Sequence, residues 1–265
     1  MTTSRQRRFG RQRCVTSLLP LALLAVVGCA GADAEPSGDG TAGEIGQLLV
    51  SCSGPAFPRQ ALSGPVGAEG LDDPAAEALR ALLNEPGLDP GMLPDAGWRL
   101  VRRDATSAVF TADSNADSAA IEAGEPPLWV VGVTSSGGLW KADGFGQCNP
   151  QVELGGGIHA GRWAPDPNQP PPARDASQLR VIVEEIECSS GQPPGDRVLP
   201  PLIDYAPDAI TIVAQLQDLP PGGYDCQGAP GTPVVFELAA PIGDRMLLDG
   251  VHFPALPPAL MFPPP

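Results

Sequence analysis

Apolar and polar residues alternate along the middle of the chain in a pattern that predicts an antiparallel sheet. Residues 98–103 alternate, residues 108–111 follow after a short turn, and residues 128–133 form a nearly continuous apolar run. Turn residues occupy positions 135–138, after which a return strand begins at Leu139. The pattern therefore predicts an antiparallel meander.

One helix is predicted before this meander. Asp73 suits the N-cap and Pro74 the first helical turn, and three leucines, Leu79, Leu82 and Leu83, then fall on one face. Pro86 and Gly87 end the helical pattern. A helix packed on an antiparallel meander is an α+β layer, so we predict an α+β N-terminal domain over residues 44–160.

The last third of the chain shows alternation of period two and no helical period. Its three alternating runs are 179–186, 209–216 and 233–238, and the intervals between them are rich in proline and glycine. This pattern predicts an all-β, sandwich-like C-terminal domain over residues 177–254.

Three segments lack hydrophobic periodicity and predict connections. Residues 29–43 are small, polar and acidic, which predicts a flexible tether. Residues 161–176 are rich in proline and predict a stiff linker, and the glycine-rich run 155–161 before them predicts a flexible connector. Residues 255–265 predict a proline-rich tail whose regular structure is limited to polyproline II.

The first 28 residues predict a secretory signal peptide. Residues 1–13 contain five arginines and no acidic residue, and the mostly apolar run 14–28 is shorter than the about 20 residues that span a bilayer. Arg7 and Arg8 leave the twin-arginine export route open beside the general secretory route.

This apolar run ends in Val26-Val27-Gly28-Cys29, which resembles the lipobox of bacterial lipoproteins. A lipobox has an aliphatic residue, a tolerant position, a small residue, and then the cysteine whose thiol accepts the lipid. The resemblance implies cleavage before Cys29 and a lipid anchor on the extracytoplasmic face of the cell membrane. The alternative is an ordinary signal peptide with an incidental cysteine.

Charge excludes several classes of partner. All 31 acidic residues lie after residue 28, together with 11 of the 16 basic residues, so that part of the chain has a net charge of −20. Such a chain is repelled by phosphate backbones and by anionic lipid headgroups, which argues against nucleic acid binding and against electrostatic docking to membranes.

Four cysteines remain after the predicted signal peptide and the lipid site: Cys52, Cys148, Cys188 and Cys226. An even number of cysteines in an exported chain favours disulfides, and four cysteines allow three pairings. Because a proline-rich break separates the first two from the last two, we predict Cys52–Cys148 and Cys188–Cys226. A metal site is the competing interpretation, although the chain contains no CxxC motif.

Motifs for catalysis are scarce. The chain has no GxSxG, SxxK or HExxH motif, and its two histidines, His159 and His252, are expected to lie on the surface. Their assembly with a serine and an acid, or a pair of acids brought together by the fold, is left open because sequence spacing does not reveal such groups.

One short segment resembles the first half of a calcium-binding loop. Asp113, Asn115 and Asp117 place oxygen atoms at alternate positions, as a hard cation requires. Ser118 stands where such loops have glycine, and Gly124 where they have the closing glutamate. The two interpretations are a weak calcium site and an acidic hairpin loop.

Five short segments, at residues 187–191, 196–198, 225–228, 241–245 and 248–250, lie within the run from Val181 to Gly250. Through these segments the run resembles a recurrent module of uncharacterised secreted proteins and lipoproteins of actinobacteria. The resemblance implies an extracytoplasmic β domain with its own cysteine pair and no known activity.

Together these features favour a membrane-anchored, extracytoplasmic, non-enzymatic protein that contacts an envelope protein or a cell-wall polymer. The first alternative is a hydrolase or carbohydrate-active enzyme acting on wall polymer. The second alternative is a ligand-binding lipoprotein, for which the usual two lobes of alternating strands and helices are not predicted here.

Overall fold

The computed structural model describes residues 44–89, 91–122 and 125–261, without the side chains of Glu44, Ser118 and Glu122. The predicted signal peptide, the lipid site Cys29 and the whole of the predicted tether lie outside these residues, as do residues 262–265 of the tail. The helices are α1, Glu44–Gln47; α2, Pro74–Leu83; and α3, Ser118–Glu122.

The described residues are mostly antiparallel β-sheet with few helices, as the strand patterns predicted. A four-stranded sheet has its strands in sequence order, which is the predicted meander. Its strands are β3, Arg99–Arg103; β4, Ser107–Asp113; β5, Leu128–Ser136; and β6, Leu139–Cys148. The finer division into an α+β domain and a separate sandwich stays a prediction.

Helix α2 forms where the sequence predicted it and packs on this sheet. The Asp73 carboxylate accepts a hydrogen bond of 2.7 Å from the Ala75 amide, which satisfies one of the free N–H groups of the first turn. Leu79 is fully buried against Trp98 and Phe110. Burial of one such leucine contributes about 2 kcal/mol, so this apolar face positions the helix.

A six-stranded sheet follows, in the order β10-β11-β8-β9-β12, with β13 parallel to β11. Its buried residues include all three of the expected inward positions of β9: Leu179, Val181 and Val183. The strands are β8, Ile158–Pro165; β9, Gln178–Glu184; β10, Val198–Tyr205; β11, Ala209–Gln217; β12, Thr232–Glu237; and β13, Met246–Asp249.

Strand β8 corrects the prediction for residues 158–165. Glycine and proline suggested a connector and a linker there, but the segment is a central strand paired with β11 and β9. Gly161 is the residue that permits this, since a Cβ atom there would lie 2.9 Å from Leu216 Cδ1 and 3.0 Å from the Glu184 carbonyl oxygen. The glycine is therefore a packing requirement of the strand.

A small third sheet lies at the start of the fold. It has the order β2-β1-β7, with β1 at Leu49–Ser51, β2 at Phe57–Pro58 and β7 at Gln151–Glu153. Its side chains Val50, Phe57 and Val152 share one buried cluster with Val109 of the four-stranded sheet and Val213 of the six-stranded sheet. Residues of the two predicted domains thus share this core cluster.

Two disulfides tie these sheets and loops together, in the predicted pairing. Cys52 and Cys148, which follow β1 and end β6, are bonded with their Cα atoms 5.7 Å apart. Cys188 and Cys226 are bonded with Cα atoms 4.1 Å apart and join two loops of the C-terminal part.

Candidate functional site

Sheet order brings one histidine and two acids together. His159 lies near the start of β8, while Glu185 and Asp218 lie just past the ends of its antiparallel neighbours β9 and β11. The Nε2 atom of His159 is 2.7 Å from Glu185 Oε1, and its Nδ1 atom is 2.8 Å from Asp218 Oδ1. Both imidazole nitrogens are therefore held by carboxylates.

Arg197 completes this cluster, which we call the histidine clamp: His159, Glu185, Asp218 and Arg197. Its guanidinium donates a hydrogen bond of 2.7 Å to Glu185 Oε2 and another of 2.9 Å to the Gln217 carbonyl oxygen. The Glu185 Oε1 atom also accepts from the Glu187 amide at 3.0 Å. Each oxygen of the Glu185 carboxylate thus has a cationic partner.

Electrostatic interactions within the clamp keep both His159 and Glu185 charged. The side chains of His159 and Glu185 are only 13% and 2% exposed, and such burial opposes charge on both. The hydrogen bonds outweigh the burial: those to Glu185 and Asp218 raise the pKa of His159 to about 9, and those from His159, Glu187 and Arg197 lower the pKa of Glu185 to about 2. At neutral pH the clamp holds an imidazolium and a carboxylate.

This charge state limits what the clamp can do chemically. A general base needs a free lone pair near the reacting group, and the His159 nitrogens are both engaged. A glycosidase general acid needs a raised pKa, whereas that of Glu185 is lowered. The pocket beside the clamp has a volume of about 210 Å³, with Glu187 and Tyr224 among its lining residues.

The expectation that both histidines lie on the surface is wrong, because both are partly buried in polar contacts. His252 Nε2 lies 3.4 Å from the Arg162 guanidinium, and burial, reinforced by that positive charge, lowers the pKa of His252. Sequence reasoning missed the contact because residues 162 and 252 lie in different parts of the chain.

Asp249 is a second ionisable group that sequence reasoning missed. It is 4% exposed at the end of β13, where its carboxylate accepts hydrogen bonds from the amides of Trp163 at 3.3 Å and Val251 at 3.1 Å. Burial raises the pKa of Asp249 to about 7, against the opposing effects of these bonds and of Arg162. The carboxyl closes the turn after β13 beside β8.

Two of the three predicted calcium ligands are hydrogen-bonded to other groups of the protein. Asp113 forms a bidentate pair with Arg99 at 3.0 and 2.9 Å, and Asp117 accepts from the Ala120 amide at 2.8 Å at the start of α3. Asn115 is exposed between them. Within the described ranges, no group of three or more His, Cys, Asp or Glu side chains is arranged to hold a metal ion.

The tripeptide Gly-Asp-Arg occurs twice, at residues 195–197 and 243–245, and each arginine donates to backbone carbonyl oxygens. Arg197 belongs to the histidine clamp and also donates to the Gln217 carbonyl oxygen. Arg245 donates to the carbonyl oxygens of Ile242, at 3.0 Å, and Pro241.

Trp98, Trp129 and Trp140 all pack in or against the hydrophobic cluster beneath α2. Trp98 is fully buried and donates from its indole nitrogen to the Pro94 carbonyl oxygen at 2.8 Å. Trp129 and Trp140 are partly buried against the cluster beneath α2.

The sequence matches no protein-family model and no curated protein, and the fold matches no solved structure. In the part of the chain that the structure describes, no helix combines the length and apolar character needed to cross a lipid bilayer.

Stability should depend on pH through the histidine clamp. The pKa of His159 is raised from 6.5 to about 9, so its contribution is fully present below pH 6.5 and is lost as the pH rises through 9. We expect chemical denaturation to show a free energy of unfolding that falls across this window by up to about 1.4 kcal/mol per pH unit.

The variant His159→Gln should remove the part of this alkaline slope that His159 contributes. His252→Gln is the matched control and should leave the slope in place, because the pKa of His252 is lowered and it is neutral throughout the window. A wild-type slope retained in His159→Gln would contradict the assignment.

Proposed function

We propose that this chain is an extracytoplasmic lipoprotein, anchored to the cell membrane through Cys29, that acts by binding an envelope protein or a cell-wall polymer. The observation that carries the proposal is the pair of disulfides, Cys52–Cys148 and Cys188–Cys226. Disulfides persist in oxidising compartments, which agrees with the address that the first 29 residues predict.

The non-enzymatic part of the proposal is supported by the histidine clamp. Catalysis at a histidine or an acid pair requires groups whose pKa values lie near their task and whose reactive atoms are free. Here the His159 nitrogens and the Glu185 oxygens all have hydrogen-bond partners within the fold. The cluster joins the loops after β9 and β11 to β8, which is a stabilising role.

A hydrolase acting on wall polymer is the second candidate, because Glu185 and Asp218 flank His159 beside a pocket. We rank it below the binding protein since Glu185 is held ionised. Accordingly, the purified protein should release no product from esters, peptides or peptidoglycan, as followed by chromatography. Reproducible hydrolysis that disappears in Glu185→Gln, with the fold retained, would reverse this ranking.

The anchor is tested by Cys29→Ala. Without the thiol that accepts the lipid, we expect the protein to appear in the medium or to remain as an uncut precursor, as judged by fractionation and immunoblotting. Cys14→Ala is the matched control, because Cys14 lies inside the predicted signal peptide and its loss should leave the protein in the membrane fraction. A Cys29→Ala chain found in membranes at its mature size would contradict the lipid anchor.

A further inference from the structure

A groove of about 510 Å³ lies on the four-stranded sheet, on the face opposite α2. Val109 of β4 and Val130 of β5 line it, and their neighbours Phe110 and Val131 point into the cluster beneath α2. The other wall is formed by the loop 52–55 that begins at the disulfide cysteine Cys52. The volume lies within the range of small-molecule sites, about 300 to 1,000 Å³.

At Gly144 and Gly146 the floor of this groove is bare backbone. Gly132 pairs with Gly144 across β5 and β6, and Val130 pairs with Gly146. A Cβ atom built on Gly144 or Gly146 would meet no atom within 4 Å, and neither residue has a positive φ. Glycine inside a strand costs about 0.5 to 1 kcal/mol relative to alanine. Gly144 adjoins a β-bulge in β6, which accounts for a glycine there, whereas no turn, bulge or close packing requires one at position 146.

A strand glycine that neither a bulge nor packing requires often marks a place where a ligand or another backbone approaches closely. Side chains at positions 144 and 146 would occupy the space over the sheet, whereas glycines leave the peptide planes accessible to a flat group. The apolar side chains of Pro55 and Val130, which keep accessible surface, would cover the sides of such a group. The groove therefore fits a planar apolar body.

One carboxylate adds a charge to this groove. Asp143 is the extra residue of a β-bulge, since Gly132 pairs with Gly144 and Val133 with Ala142. The bulge places the Asp143 Oδ1 atom over Gly132, 2.7 Å from where a Cβ of that residue would lie. Asp143 is the only charged residue among the described residues that line the groove, and no described residue pairs with its carboxylate.

We propose that this groove binds a small ligand with a planar apolar ring system and a protonated amine. The ring would lie on the glycine floor between the apolar walls, and the ammonium would pair with Asp143. The net charge of −15 also favours a cation over an anion of the same shape. This binding site goes beyond the proposed function and does not depend on the lipid anchor.

Three probes of similar shape and different charge test the site on the purified whole protein. Tryptamine carries the ring and the ammonium, 3-ethylindole lacks the charge, and indole-3-propionate carries a negative charge. We expect calorimetry or ligand-observed NMR to rank their affinities as tryptamine, then 3-ethylindole, then indole-3-propionate. Indole-3-propionate binding as well as tryptamine, or no binding of tryptamine at millimolar concentration, would overturn the proposal.

Variants then locate the binding. Gly146→Val should abolish binding of tryptamine and 3-ethylindole, because the valine side chain fills open space above the floor. Gly223→Val is the control: its side chain also enters open space but lies outside the groove, so both affinities should be unchanged. Asp143→Asn should lower the affinity for tryptamine at least about threefold and leave the affinity for 3-ethylindole unchanged. A loss of this size is what removal of an exposed to half-buried ion pair would produce.

Asp196→Asn is the control for the loss of one negative charge outside the groove, and should leave tryptamine affinity unchanged. Thermal melting monitors whether Gly146→Val folds. If it does not fold, the tryptamine affinity of Asp143→Asn decides whether the ligand binds in the groove. Tryptamine affinity that is unchanged in Asp143→Asn, or equally reduced in Asp196→Asn, would overturn the proposal.

Discussion

Glu185→Ala is expected to lower the free energy of unfolding at pH 7 by about 3 kcal/mol or more. Removing one partner of a buried ion pair leaves the other charge without compensation, which costs about 3 to 5 kcal/mol. Here the loss would affect both His159 and Arg197, which are hydrogen-bonded to the two oxygens of the same carboxylate. Denaturation by urea, followed by circular dichroism, measures the change.

Glu187→Ala is the matched control for this experiment. Glu187 lines the same pocket but is exposed, so its substitution should change the free energy of unfolding by no more than about 0.5 kcal/mol. Equal and small losses in the two variants would show that the histidine clamp contributes little to the fold.

Loss of the Cys52–Cys148 disulfide is expected to have the largest effect on stability. The bond links residues separated by 96 positions, and on the chain-entropy model closing such a loop stabilises the fold by about 4.7 kcal/mol. The bond also joins the small sheet to the end of β6. The double variant Cys52→Ala, Cys148→Ala should therefore melt far below the parent chain in a calorimetric scan.

The second disulfide provides the comparison. Cys188 and Cys226 are 38 positions apart, for which the same model gives about 3.9 kcal/mol. The variant without this bond should consequently lose less stability than the one without Cys52–Cys148. A reversed order would mean that native contacts, rather than loop closure, decide the contribution of each bond.

The elements that were predicted correctly are those whose burial follows a simple period. Helix α2 has a good N-cap at Asp73 and one apolar face, and strand β9 has Leu179, Val181 and Val183 buried in alternation. In these segments the local pattern and the tertiary packing agree, so the sequence alone was sufficient.

Strands containing glycine and proline were missed, for reasons that the sheet explains. Strand β10 includes Pro200 and Pro201, and it tolerates them because it lies at the edge of the six-stranded sheet. Strand β8 includes Gly161, which packing against Leu216 requires. Strands β1 and β2 are only three and two residues long, too short for any period to show.

The histidine clamp was beyond sequence reasoning because it depends on sheet order. His159 lies 26 positions from Glu185 and 59 from Asp218, and they meet only because β8 lies between β9 and β11. The one local signal was the position of both acids at the ends of apolar runs. The cysteine pairing was predictable because a proline-rich segment separates the two pairs along the chain.

The most direct test of the account is the mass of the N-terminal peptide of the protein purified from membranes. A lipid-anchored protein predicts a chain that begins at Cys29 and carries a diacylglyceryl group on its sulfur, with residues 1–28 absent. Mass spectrometry after proteolysis distinguishes this peptide from an unmodified one. An N-terminus elsewhere with Cys29 unmodified, or a chain that retains residues 1–28, would contradict the proposed anchor.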